Sequence, residues 1–233
     1  GSLSRVPPHL FVLSAGLAAL NFISVAMQIR EPREKKESRD IARQEISLLE
    51  HLSSPLLFLF LGSFMTAFMI GGLDATLAIY TGDKLGFSSP QIGLVFTYIG
   101  VLILVMQFVS GSLVNKYGEL KLISAGLALS GAGFFLLVFT HDWLTILIPL
   151  AVFVAGNALV FPSVNTLITK KVAGMRGAVL GLVSSFQSLG QMIGPLLGGF
   201  LYGFSHDYPF IGMALIIWSY FFVFLLFARK RLP

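Results

Sequence analysis

The stretch PLLFLFLGSFMTAFMIGGLDATLAIYT, residues 55–81, decides the fold: its one charged residue is Asp74, and the rest is apolar, small or weakly polar. A helix needs about 20 such residues to cross the hydrocarbon core of a bilayer. In lipid the backbone must satisfy its own hydrogen bonds, which a helix does. Six more stretches of this kind occur, at 6–29, 90–114, 120–140, 143–168, 176–204 and 208–228. The expected fold class is therefore all-α integral membrane, with seven transmembrane helices in a lipid bilayer.

Composition and charge narrow the function. The 233 residues are 55% hydrophobic and 12% charged, with a mean hydropathy of +0.84. A soluble chain of this length could not bury so much apolar surface. The absence of cysteine removes thiolate metal sites, thiol catalysis and disulfides. The first stretch is full length and lacks the basic start and small-residue cleavage site of a secretory leader. Arg30, Arg33, Lys35, Lys36, Arg39 and Arg43 follow the first stretch, Lys116 and Lys121 the third, Lys170, Lys171 and Arg176 the fifth, and Arg229, Lys230 and Arg231 the last. Arg5 and Lys84 alone fall on the other side. Basic loops stay cytoplasmic, so the C-terminus is expected inside and the N-terminus of the chain outside, in a plasma or inner membrane. Scattered over four loops and interleaved with acids, these charges argue against a nucleic-acid partner.

The gap at 30–54 carries equal numbers of acids and bases between Pro32 and Pro55. Ile41, Leu48, Leu49 and Leu52 fall near helical spacing, which fits either a short amphipathic helix on the inner surface or a solvated tether between two bundles. The two ends of the chain look alike. GSLSR…PPHLFVLSAGLAALNFISVAMQIR and GFLYGFSHDYPFIGMALIIWSYFFVFLLFAR both begin Gly-x-Leu, pass a proline, run through about 20 apolar residues and stop at arginine. Residues 1–29 thus read as the last helix of an earlier repeat, 30–54 as a linker, and 55–233 as a complete six-helix unit.

GSLVNKYGELK at 111–121 resembles the cytoplasmic Gly-x-Leu-x-Asp-Arg-x-Gly-Arg-Lys signature of the major facilitator superfamily. QSLGQMIGPLLGGFLYG at 187–203 resembles the Gly-Pro-x-x-Gly-Gly stretch of its drug:proton antiporters. The resemblance spans the family's second half plus one helix. It implies that a six-helix N-terminal bundle is missing from this sequence. Asn115 and Lys116 stand where the family has Asp and Arg. Asn115 keeps a hydrogen-bond acceptor for the helix N-terminus expected near Arg176, but without the charge. Gly111 and Gly118 are expected to preserve close approach and a tight turn, and with Lys121 complete a cytoplasmic latch.

Polar residues inside the spans are the strongest functional pointers, because each is costly unless paired or wetted. Asp74 is either a proton-coupling and cation-recognising group or a hydrated residue near the outer surface. Asn157, Phe161, Asn165 and Thr169 recur at i+4, and Ser184, Gln187 and Gln191 at i+3 and i+4. By the resemblance, Asn157, Phe161, Asn165, Gln187 and Gln191 become substrate-cavity candidates, with Phe64, Phe68 and Met69 as an apolar wall; interhelical hydrogen bonds and packing are the alternative. Gly93, Thr97, Gly100, Leu104, Gln107 and Gly111 form a second small or polar stripe, open to packing or cavity lining. Gly177 and Gly181, Gly190 and Gly194, Gly194 and Gly198, and Gly199 and Gly203 form i,i+4 pairs suited to close helix packing, and Pro195 adds a kink or hinge.

His141-Asp142 and His206-Asp207 fall in outer loops with few further ligands for a metal. No nucleophile elbow, phosphate loop or paired intramembrane carboxylate points to an enzyme. The expected function is half of a proton-coupled antiporter exporting drugs or small metabolites by alternating access, with a small-molecule substrate, protons and no organic cofactor. A sugar or metabolite uniporter or symporter on the same fold is one alternative. A transport-inactive membrane assembly partner is the other.

Overall fold

A computed structural model describes residues 16, 18–20, 22–23, 54–171 and 176–231. They belong to two compact units, Gly1–Arg43 and Gln44–Pro233. In the first unit the described residues are helical and exposed. Residues 30–53, with the expected amphipathic helix, and most of the 6–29 stretch lie outside the described residues.

In the second unit each expected stretch is one helix: α1 (Ser54–Asp83), α2 (Ser89–Tyr117), α3 (Glu119–Leu137), α4 (Trp143–Lys171), α5 (Arg176–Tyr202) and α6 (Tyr208–Arg231). Five of them are long and apolar enough to cross a membrane. The exception is α5. It has the length expected of the 176–204 stretch, but Ser184, Ser185, Gln187, Ser188 and Gln191 dilute its apolarity.

Local chemistry sets the boundaries. Gly118 both ends α2 and starts α3, with φ 82° and ψ 154°, a region open essentially to glycine alone. Before α2, the Gln91 side chain accepts from the Ser88 N–H at 2.8 Å, satisfying a donor at the helix start. Asp142 does the same for α4, accepting from the N–H groups of Leu144 and Thr145.

Two seams bring backbones close. α1 lies along α5, with Gly190, Gly194 and Gly198 buried against Phe64, Phe68, Gly72 and Thr76. α3 lies along α4, where a Cβ added at Gly126 would come 2.6 Å from the Gly156 carbonyl oxygen. In lipid, where water drives no burial between helices, small residues at such seams let dispersion contacts form. Side chains then tie neighbouring helices through backbone carbonyls. Tyr80 donates to Leu137 at 2.9 Å, Tyr220 to Phe58 at 3.0 Å, and Tyr98 to Leu147 at 3.2 Å. Buried Phe134 joins α3 to α4 and α6 by edge and tilted contacts with Phe153 and Phe210. α2 leans mainly on α4 and leaves Leu94, Val101, Leu104, Val105 and Phe108 exposed.

Candidate functional site

Residues of α1, α2 and α4 line a half-open cavity of roughly 580 Å³. Its wall is mostly apolar, with Ile70 and Leu73 from α1, Ile99 and Ile103 from α2, and Phe153 and Phe161 from α4. Four polar side chains interrupt it: Asp74, Gln107, Ser110 and Asn157. Asp74 is exposed to this space. Among the described residues no hydrogen bond or ion pair engages its carboxylate. A carboxylate in such a place is an open site for a proton or a cation.

Asn157 has two roles that sequence reading treats as alternatives. Its Nδ2 donates to the Thr66 carbonyl at 3.3 Å, joining α4 to α1, and the same residue lines the cavity. Phe161, one turn along, lines it too, as do Gln107 and Gly111 of the α2 stripe. Asp74, Asn157, Phe161, Gln107 and Gly111 are thus brought together. Phe153, Ser110 and Pro162 join them without any sequence signal that set them apart.

The other candidates sit elsewhere. Phe68 and Met69 are buried in the helix core, and half-buried Phe64 stacks on Phe68 with ring centroids 5.8 Å apart. None of the three lines this cavity. Asn165 and Gln187 are half-buried and Gln191 is exposed, all away from the cavity. The α5 glycines also divide: Gly190, Gly194 and Gly198 are seated on α1, whereas a Cβ at Gly177, Gly181 or Gly199 would meet nothing within 4 Å. Pro195 lies within α5, with its ring beside Gly71.

The latch departs from expectation in two ways. Among the described residues α2 and α5 do not touch, so Asn115 has no α5 N-terminus to cap. A Cβ at Gly111 would likewise meet nothing within 4 Å, so no close approach demands that glycine. The contact made in this region is an ion pair between Lys170, at the end of α4, and Glu119, at the start of α3, at 2.5 Å. Lys116 lies over the Tyr117 ring, and Lys121 is exposed. Gly118 alone has the backbone role foreseen for it.

At the opposite end of the bundle, Lys84 pairs with Asp207 and Tyr202 donates to Asp83 at 3.3 Å. Burial lowers and the Asp207 hydrogen bond raises the Lys84 ammonium pKa, with a net upward shift. Asp142 is occupied as the α4 cap. Both His-Asp pairs therefore have structural work for their carboxylates.

The family model for the Major Facilitator Superfamily matches residues 59–233. The chain belongs to that superfamily of membrane transporters. It is 29% identical to Multidrug resistance protein 1 of Bacillus subtilis over 92% of this chain and 57% of that protein. It is 26% identical to the class C tetracycline resistance protein of Escherichia coli over 81% of this chain and 48% of that one. The chain therefore spans about half the length of the curated relatives it matches. Among solved structures, the human organic anion transporter MFSD10 superposes with a TM-score of 0.65 at 24% identity, covering 73% of this chain and 41% of that one. A peptide transporter crystallised with sulfate gives 0.67 at 21%, over 77% and 38%. At these identities the two structures speak for the fold alone.

Proposed function

We propose that this chain is the C-terminal half of a secondary transporter that expels drugs or other lipophilic cations in exchange for protons. The observation that carries the reading is the unpartnered Asp74 carboxylate on the wall of a largely apolar cavity. An apolar wall accommodates a hydrophobic body, and a lone carboxylate attracts a positive charge; protonating that carboxylate removes the attraction. Proton and cation thus compete for one group, which is the chemical requirement for exchange. The names of the multidrug and tetracycline resistance relatives favour export over uptake.

On this reading residues 1–29 are the last helix of a preceding six-helix bundle and 30–54 link the two halves. The bundles rock about the cavity to open it to each side of the membrane in turn. The C-terminus faces the cytoplasm, a placement supported by the basic loops.

The test is efflux of a lipophilic cation from vesicles under an imposed proton gradient, using the complete transporter and its Asp74→Asn variant. Asparagine keeps the shape but carries neither charge nor a titratable proton. The expected result is gradient-driven efflux in the unaltered protein and its loss in the variant. Transport that survives both Asp74→Asn and collapse of the gradient would instead identify a facilitator, and the proposal would fall.

A further inference from the structure

Pro162 follows Ala158 by one turn of α4, and both line the cavity that holds Asp74. Proline has no N–H, so the Ala158 carbonyl lacks the donor that position 162 would give it in an unbroken helix. A carbonyl released in an apolar wall is a strong acceptor in search of a donor.

Most of the other polar atoms of the cavity lean the same way, the exceptions being the Gln107 amide and the second Asn157 amide proton, which can donate. Asp74, when ionised, offers acceptors only. The Ser110 hydroxyl gives its proton to the Gln107 carbonyl at 3.2 Å and has only lone pairs to spare. Asn157 has committed one amide proton to Thr66, leaving its Oδ1 free to accept. Among the described residues no Lys, Arg or His lines the space. Acceptors outnumber donors, and the one full charge is negative.

We propose that the Ala158 carbonyl, freed by Pro162, acts with Asp74 to select cations bearing N–H groups, the protonated primary, secondary and tertiary amines, over quaternary ammonium ions. The inference rests on reading this cavity as the substrate site. A quaternary ion balances the Asp74 charge but leaves the carbonyl unpaired. A protonated amine satisfies both. A site built to hydrogen-bond a group rejects the analogue lacking it, because its own polar atoms are then stranded.

The experiment is equilibrium competition against radiolabelled tetraphenylphosphonium on the complete transporter, using phenethylammonium and its mono-, di- and trimethylated forms. One charge-assisted hydrogen bond corresponds to about a tenfold preference. Affinity should hold while one N–H survives and drop by about that factor at the trimethyl ion. Pro162→Ala gives the Ala158 carbonyl an N–H donor within the helix and should shrink the amine-to-quaternary ratio to about twofold, chiefly by raising quaternary affinity, since the carbonyl is then no longer stranded. A general distortion of the helix would move both ligands together.

Equal affinities along the methylation series, or a ratio that ignores Pro162→Ala, would overturn the selectivity while Asp74-dependent cation binding stood. Binding of every cation that is indifferent to Asp74→Asn would overturn the site itself.

Discussion

At Gly194 an added Cβ would come within 2.5 Å of the Phe68 carbonyl oxygen and 2.8 Å of the Gly72 nitrogen. Both are backbone atoms, so no side chain can swing aside and α1 and α5 must part. Overpacking of this kind costs about 1–3 kcal/mol. Gly194→Ala should therefore lower the melting temperature in detergent by several degrees, whereas Gly199→Ala should leave it unchanged or raise it slightly, since nothing lies within 4 Å there. Equal melting of the two variants would mean that the α1–α5 seam does not depend on glycine. Both positions belong to i,i+4 glycine pairs in the sequence, so spacing alone cannot separate them; the difference lies in which face of α5 meets α1. Asp74 was legible because a single acid stands out in an apolar run. Pro162 was not, because its consequence falls on the backbone carbonyl of Ala158, which the one-letter code does not display.

For α4 the capping chemistry and the cavity wall belong to one helix. Its first turn is held by Asp142, whose carboxylate accepts at 2.8 Å from Thr145 and 3.0 Å from Leu144. The Thr145 N–H, followed by the Thr145 hydroxyl, holds the Asp142 carboxyl below its ordinary value of 3.8. A depressed folded pKa contributes stability that is complete above the unfolded value and disappears as pH falls through the folded one. Melting temperature should accordingly be flat near neutrality and fall below about pH 4. Asp142→Asn, which retains a capping oxygen, should melt close to the unaltered protein at pH 7 and lose this part of the acid dependence. Parallel acid melting curves for the two would remove Asp142 from the cap's electrostatics. In the sequence, His141-Asp142 and His206-Asp207 read as outer-loop pairs with few further ligands for a metal, and nothing there points to separate roles for their carboxylates. The structure resolves them by geometry, one carboxylate capping α4 and the other meeting Lys84. The α3–α4 glycine seam, with Gly126, Gly133 and Gly156, also went unread, since those glycines share no single repeat.

Across the second unit, the number and order of the helices were legible because bilayer thickness imposes a minimum length on every spanning apolar run. The signature at 111–121 suggested a latch between α2 and α5, which among the described residues do not touch; a signature records residue types and leaves out which helix ends meet. The two ends of the bundle differ sharply in charge. One carries Asp83, Lys84, His141, Asp142, His206 and Asp207, and the Lys84–Asp207 ion pair joins two of its loops. The other carries Lys116, Lys121, Lys170, Lys171, Arg176, Arg229, Lys230 and Arg231 against Glu119, and the Lys170–Glu119 pair brings α3 and α4 together there. The basic excess predicts that this second end faces the cytoplasm. The chain has no cysteine of its own, so single cysteines report cleanly. His141 and Lys116 are both exposed and lie at opposite ends. In sealed right-side-out vesicles a membrane-impermeant maleimide should label His141→Cys at once and Lys116→Cys only after permeabilisation. The reverse pattern would invert the topology and overturn the cytoplasmic placement of the basic end.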